Sequence, residues 1–218
     1  MTKEILTLGI LGHGALSQAT VLTFDITGNS NGNFLDQGYG DNVAAATVGN
    51  FGYDISNGTT PDVTVDYSRS DSGSLSWWST GCSDLTNVIY NENDGDPLLR
   101  ITFTASNNQN VVLNSFDIGN FGGAVTLPGL SLKDGNGLTL VQLIDVPIPS
   151  FSSPASTFII GGFASQVLVL ELDLTGLGGN SDNIGLDNIS FSQEAVPEPA
   201  TMLGLAAVGA WFACRKRS

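Results

Sequence analysis

Four oxygen-bearing side chains, Asp36, Asp41, Asp187 and Asn188, form the set best suited to a metal ion, provided the closing segment of the chain pairs with its opening segment. Calcium is a hard cation that takes roughly six to eight oxygens from carboxylates, amides, carbonyls and water. The metal expected of them is therefore a structural calcium. Without convergence, Asp36 and Asp41 cap turns and Asp187 is a strand-edge carboxylate. Two other acidic segments look like calcium loops but depart from the pattern. In Asn91-Glu92-Asn93-Asp94-Gly95-Asp96, Gly95 stands where a side-chain ligand belongs, and the closing glutamate is missing. Gly178-Gly179-Asn180-Ser181-Asp182 occurs once, with Ser181 where the repeat needs glycine, and reads as a polar turn.

Trp77 and Trp78 carry a second chemistry. An exposed indole stacks its electron-rich face on the flat C–H face of a sugar. Side chains alternate across a strand, so adjacent tryptophans lie on opposite faces and at most one belongs to a core. The other is expected to be exposed or covered by a loop. Tyr39 is a candidate of the same kind, as are Tyr53 and Tyr90, although tyrosines more often pack.

Other chemistries are closed off by what the chain lacks. His13 is the only histidine and falls in the first 19 residues, which read as a removable segment. The rest has no imidazole for a Ser-His-Asp or Cys-His system or a typical catalytic zinc site. Lys133 sits in a turn, Lys133-Asp134-Gly135, and no phosphate-cradling glycine loop is followed by a lysine. A carboxylate pair of the glycosidase kind needs two acids at a fixed separation, one held protonated. Glu171 alternates with Asp173 on the solvent face of a strand, and Glu92 lies in a polar turn. The body is therefore read as non-enzymatic, with a carboxylate-dependent glycan hydrolase or lyase as an alternative.

The elements that must position these residues are strands. Val21 to Ile26, Asp62 to Tyr67, Ile101 to Ala105 and Val111 to Ile118 alternate apolar and polar residues. So do Leu138 to Val146, Thr157 to Ile160, Val167 to Leu174 and Ile184 to Phe191. Asn57-Gly58, Asp94-Gly95, Asp134-Gly135 and Asn136-Gly137 supply the positive φ angles of tight turns. Pro147 to Pro154 reads as a long loop. This is an all-β pattern, an antiparallel β-sandwich of the jelly-roll type, in one domain spanning 20–194. No internal repeat is visible.

The ends read as export signals. Lys3 precedes an apolar stretch, and Ser17-Gln18-Ala19 offers small residues for a signal-peptidase cut, giving a signal helix at 1–19. Residues 195–218 hold Pro197-Glu198-Pro199, an uncharged apolar run expected to be helical, and the cluster Arg215-Lys216-Arg217. The run is shorter than the roughly 20 residues of a membrane span, which suits a transient inner-membrane anchor with the basic residues on the cytoplasmic side. Without both ends, 19 of the 21 acids face Arg69, Arg100 and Lys133 alone. So acidic a body excludes nucleic-acid binding, which needs cations against phosphates. Cys82 is left as its only cysteine, read as a small buried hydrophobe.

The tripartite tail resembles the PEP-CTERM sorting signal of exopolysaccharide-producing Gram-negative bacteria. The resemblance implies cleavage by an exosortase-type protease and an address in the cell envelope or exopolysaccharide matrix. Gln37-Gly38-Tyr39-Gly40-Asp41-Asn42-Val43 and Ile184 to Phe191 are similar to the opening loop and closing strand of jelly-roll bodies common in PEP-CTERM proteins. The closing strand is also similar to the last strand of galactose-binding-like and carbohydrate-binding modules. That second likeness implies adjacent first and last strands with a structural calcium beside them. The expectation is an exported protein that binds carbohydrate, with a purely structural, protein-contacting role as the alternative.

Overall fold

The alternating stretches form strands, and every strand pair is antiparallel. The computed structural model describes residues 18–197. In chain order the strands are β1 (Gln18–Ile26), β2 (Thr47–Val48), β3 (Phe51–Asn57), β4 (Val63–Arg69), β5 (Ser76–Cys82), β6 (Leu85–Tyr90) and β7 (Leu98–Ala105). They continue as β8 (Gln109–Asn120), β9 (Val125–Asp134), β10 (Thr139–Ile148), β11 (Ser156–Ile159), β12 (Ala164–Ser165), β13 (Val167–Asp173) and β14 (Ile184–Ala195). A short 3-10 turn, Gly178–Asn183, precedes the last strand. The expected signal helix, the apolar C-terminal helix, and Glu198, Pro199, Arg215, Lys216 and Arg217 lie outside the described residues. Among the described residues no helix is long and apolar enough to cross a membrane.

Two sheets form a sandwich. The first runs β11-β8-β14-β1-β3-β2, with the β5–β6 hairpin joined to β14 and β12 to β8; the second runs β10-β9-β13-β7-β4. The chain crosses repeatedly between them, which gives the jelly-roll character. Strict alternation in β7 and β13 turns Leu99, Ile101 and Phe103, and Leu168, Leu170 and Leu172, into the interior. There they meet Leu113, Phe116, Ile189 and Phe191 of the first sheet in one apolar core. The first and last strands are neighbours, Thr20 opposite Phe191 and Leu22 opposite Ile189. Because β1 begins at Gln18, the boundary read after Ala19 falls inside a paired strand.

The segment after β1 closes one side of the sandwich. β4 is an edge strand, and its free backbone groups would be left unpaired. The loop satisfies them with side chains and backbone. Gln37 donates to the Tyr67 carbonyl and accepts from the Tyr67 N–H, both at 3.0 Å. Asp41 accepts from the Val65 N–H at 2.7 Å, and Asn42 N–H donates to the Val63 carbonyl at 2.7 Å. Between these anchors Tyr39 is driven into the core, stacked on Phe24 at 5.1 Å and packed against Tyr53 at 5.0 Å. Its hydroxyl donates to the Gly52 carbonyl, while Tyr67 donates to the Tyr39 carbonyl.

Gly40 makes that turn with φ of 92°, and a Cβ there would sit 3.2 Å from Leu22, Val65 and the Tyr67 hydroxyl. Gly49 also has positive φ, 59°, but open space around it. Gly49→Ala is expected to cost about 1 kcal/mol of backbone strain, and Gly40→Ala at least about twice that, because its neighbours must also move. Urea unfolding of both variants measures the difference. Equal losses would mean that the loop is not tightly packed against the core.

Candidate functional site

A cleft of about 240 Å³ opens at the end of the first sheet, lined by Trp78, Cys82, Tyr90, Glu92, Phe121, Asp182 and Asn183. Four separate pieces of chain build it. Trp78 and Cys82 stand on β5, and Tyr90 ends β6 opposite both Ser76 of β5 and Gly185 of β14. Phe121 directly follows β8. Asp182 and Asn183 come from the 3-10 turn before β14.

The walls are fixed by backbone bonds. Phe121 N–H donates to the Asn183 carbonyl at 2.9 Å, and the Asn120 side chain holds the following turn through Gly122 and Gly123. Gly95 N–H donates to the Ser181 hydroxyl at 2.8 Å, which ties the loop carrying Glu92 and Asp94 to the turn carrying Asp182. Gly81, with φ of 100°, leaves the space that the Phe121 ring fills; a Cβ there would lie 2.7 Å from that ring. Trp78 meets Tyr90 and Phe121 edge-on, at 6.0 and 6.2 Å between ring centres. Three aromatic rings thus face a set of polar groups. Cys82 is buried at the cleft, and burial pushes its thiol up to about 12, so it is an inert wall.

The two tryptophans separate as alternation requires. Trp77 is buried and its indole N–H donates to the Phe24 carbonyl at 2.9 Å. Trp78 is half-buried at the cleft. Tyr39, expected as a possible platform, is fully buried and has no ring face to offer. Its glycine-flanked segment resembles an exposed loop, but edge-strand hydrogen bonding carries the ring inward. Glu92, Phe121, Asp182 and Asn183 were not singled out from sequence as binding residues. The usable signal was Phe121, an aromatic residue in the glycine turn Gly119-Asn120-Phe121-Gly122-Gly123.

The residues proposed for calcium are not brought together. Asp41 is committed to Val65, and Asp36 accepts from Gly38 N–H in its own turn. Asp187 sits at a bulge in β14, where Asn188 adopts φ of 51°, and it faces Asp117 and Asp25 instead. Asn188 donates to Asp117 at 2.8 Å. The loop that carries Asp36 and Asp41 is bonded to β4 of the other sheet. Among the described residues no group of three or more histidine, cysteine or acidic side chains could hold a metal ion. The expected set therefore does not fit a calcium ion.

A larger groove of about 440 Å³ on the second sheet includes Lys133, Gln142 and Glu171 and contains no aromatic side chain. Glu171 is bonded by both Arg100 and Lys133. Burial pushes its carboxyl up, but these two cations outweigh burial and hold it below its ordinary value. It is ill suited to donate a proton.

Comparison with known proteins adds the address. Residues 195–218 match the PEP-CTERM protein-sorting motif. The chain is thus an exosortase-targeted protein exported to the cell envelope or extracellular space. No curated protein matches it. Among solved structures it is similar to the apo form of a cyclase from Fischerella sp., at 18% identity over 83% of this chain and 99% of that one. The TM-score of 0.37 is too low to carry an argument.

Asp187 generates a pH prediction. It is 4% exposed, and burial, with Asp117 and Asp25 adding to it, pushes its carboxyl up to about 8. The unfolded chain loses this proton near pH 4, so between about pH 4 and 8 the folded state binds more protons. Its contribution to stability is complete below pH 4, falls through that window, and levels off above it. Asp187→Asn keeps an acceptor for Asn188 N–H without the charge. Thermal melts from pH 4 to 9 are expected to show a flatter profile for the variant, with a gain on the order of a few kcal/mol at the alkaline end. Parallel profiles would show that Asp187 ionises freely in the folded state.

Proposed function

We propose that this protein is a non-enzymatic component of the envelope or exopolysaccharide matrix, and that it binds carbohydrate in the Trp78 cleft. The observation that carries this reading is the cleft itself: a half-buried indole between two further rings, opposite Glu92, Asp182 and Asn183. Sugar sites combine an aromatic platform with a few fixed polar groups that bond hydroxyls. Drug-sized ligands occupy roughly 300–1,000 Å³, so this smaller cleft suits one sugar ring of a longer chain. The exosortase address supports this reading, because the sorting signal resembles that of exopolysaccharide-producing bacteria.

A hydrolytic reading also has an observation in its favour. Burial and the nearby Asp94 push the Asp182 carboxyl above its ordinary range, and a raised acid is what a glycosidase uses as proton donor. The two readings differ in products, since only hydrolysis generates new reducing ends.

Trp78→Ala is expected to reduce co-sedimentation of the full chain with exopolysaccharide by tenfold or more in affinity, while costing less stability than the loss of Trp77. Trp77→Ala should cost about 3–5 kcal/mol of stability, as loss of a buried indole does. Undiminished binding by Trp78→Ala would remove the cleft from the reading, and new reducing ends on incubation with glycan would replace binding with hydrolysis.

A further inference from the structure

Among the described residues the acids of the cleft have no counter-charge. Asp182 Oδ1 is buried and takes no hydrogen bond. Burial raises its carboxyl above the ordinary value, and the other acids Asp94 and Glu92 act on it with the same sign. Among the described residues the only cations are Arg69, Arg100 and Lys133, and each is already in an ion pair elsewhere, with Asp71 or Glu171. Two neighbouring carboxylates in a partly desolvated place repel each other unless a cation or a shared proton lies between them. Nothing in the described chain can supply that cation.

The walls select the kind of cation. Trp78, Tyr90 and Phe121 present aromatic rings to the same cleft. A metal ion would have to surrender tightly held water to approach those rings, and no set of three acids here is arranged to replace that water. An organic ammonium is less strongly hydrated than a metal ion. It gains from the ring quadrupole, and it carries N–H donors for an unsatisfied carboxylate oxygen.

We propose that the Trp78 cleft recognises a sugar bearing a free primary amine, with the pyranose ring against Trp78 and the ammonium group directed at Asp182. The proposal rests on the carbohydrate reading above and narrows it. A deacetylated amino sugar supplies the two complementary parts at once, a flat apolar face and a cation beside it. An N-acetylated sugar lacks the charge, and its amide cannot neutralise the acid pair. A neutral glucose unit offers only a hydroxyl in the same position.

Three oligosaccharides separate the possibilities: chitosan hexaose, chitin hexaose and cellohexaose. They share one backbone geometry and differ at C2, which carries an amine, an acetamide or a hydroxyl. Binding to the full chain in mild detergent is measured by calorimetry at about pH 6, where the amine is protonated. Salt of about 0.15 M limits the reach of exposed charges to roughly 8 Å. The expected result is at least about tenfold tighter binding of chitosan hexaose than of the other two, the effect of about 1.4 kcal/mol. Asp182→Asn should erase that preference, and Trp78→Ala should weaken all binding. Because chitosan is polycationic and the protein acidic, Asp145→Asn on the exposed edge strand β10 serves as the charge control and should leave the preference intact.

Equal binding of all three sugars through Trp78 would overturn the amine proposal and leave the carbohydrate reading standing. A preference that survives Asp182→Asn, or falls equally in Asp145→Asn, would assign it to general surface charge and likewise overturn the proposal. Failure of all three sugars to bind would remove the proposal and count against the carbohydrate reading itself.

Discussion

The whole first sheet hangs on its last strand. β14 lies between β8 on one side and β1 and β6 on the other, with β6 pairing at Gly185 and Leu186 and β1 taking over from Ile189 onward. Both early and middle parts of the chain are thus incomplete until the final segment inserts between them. The change of partner falls at the bulge around Asp187 and Asn188, where β14 shifts register against β8. A bulge increases local twist and re-aims the strand, and here it lets one strand serve two neighbours on the same side. β14 also ties the sheets together: Gln193 exchanges hydrogen bonds with Asp62, just before β4 of the opposite sheet, through its amide oxygen and nitrogen. Such pairing between the ends of the chain makes folding depend on long-range contacts, which form slowly.

Much of this fold was legible because core strands carry a simple physical signature. β4, β7 and β13 each bury every second residue against the facing sheet, so apolar residues must alternate with polar ones. The unread strands lack that signature for identifiable reasons. β5 runs Ser76-Trp77-Trp78-Ser79-Thr80-Gly81-Cys82, where the second indole faces a cleft and therefore breaks the polar-out rule. β9 contains Pro128-Gly129, a pair that reads as a turn. It is tolerated because the pairing with β13 ends at Gly129, so Pro128 owes no hydrogen bond on that side. Pro147 and Ile148, read as loop, belong to the outer strand β10, where a missing N–H is equally harmless.

The site was less legible than the fold. Adjacent tryptophans can be assigned to opposite faces by counting, so one exposed or loop-covered indole followed from sequence alone. Which loops surround it did not follow, because β6, the turn after β8 and the turn before β14 meet only through sheet register. The acids show the same limit. Asp36, Asp41 and Asp187 look alike in composition, yet Asp41 satisfies an edge strand, Asp36 its own turn, and Asp187 lies buried at a bulge. Carboxylates in turns and at strand edges are first of all acceptors for nearby N–H groups, and that local demand claimed all three.

The position of the cleft along β14 has a consequence for an exported protein. Asp182 and Asn183 immediately precede the strand, whereas the sorting motif begins at Ala195, where the strand ends. Twelve residues of strand, at about 3.3 Å each, separate the two ends by roughly 35 Å. Whatever engages the motif therefore holds one end of the sandwich while the aromatic cleft opens at the other. Binding in the cleft and handling of the tail need not compete for space. The rigid strand that joins them also fixes the direction in which the cleft faces, which a flexible linker would not do. The separation follows directly from placing a twelve-residue central strand last in the chain.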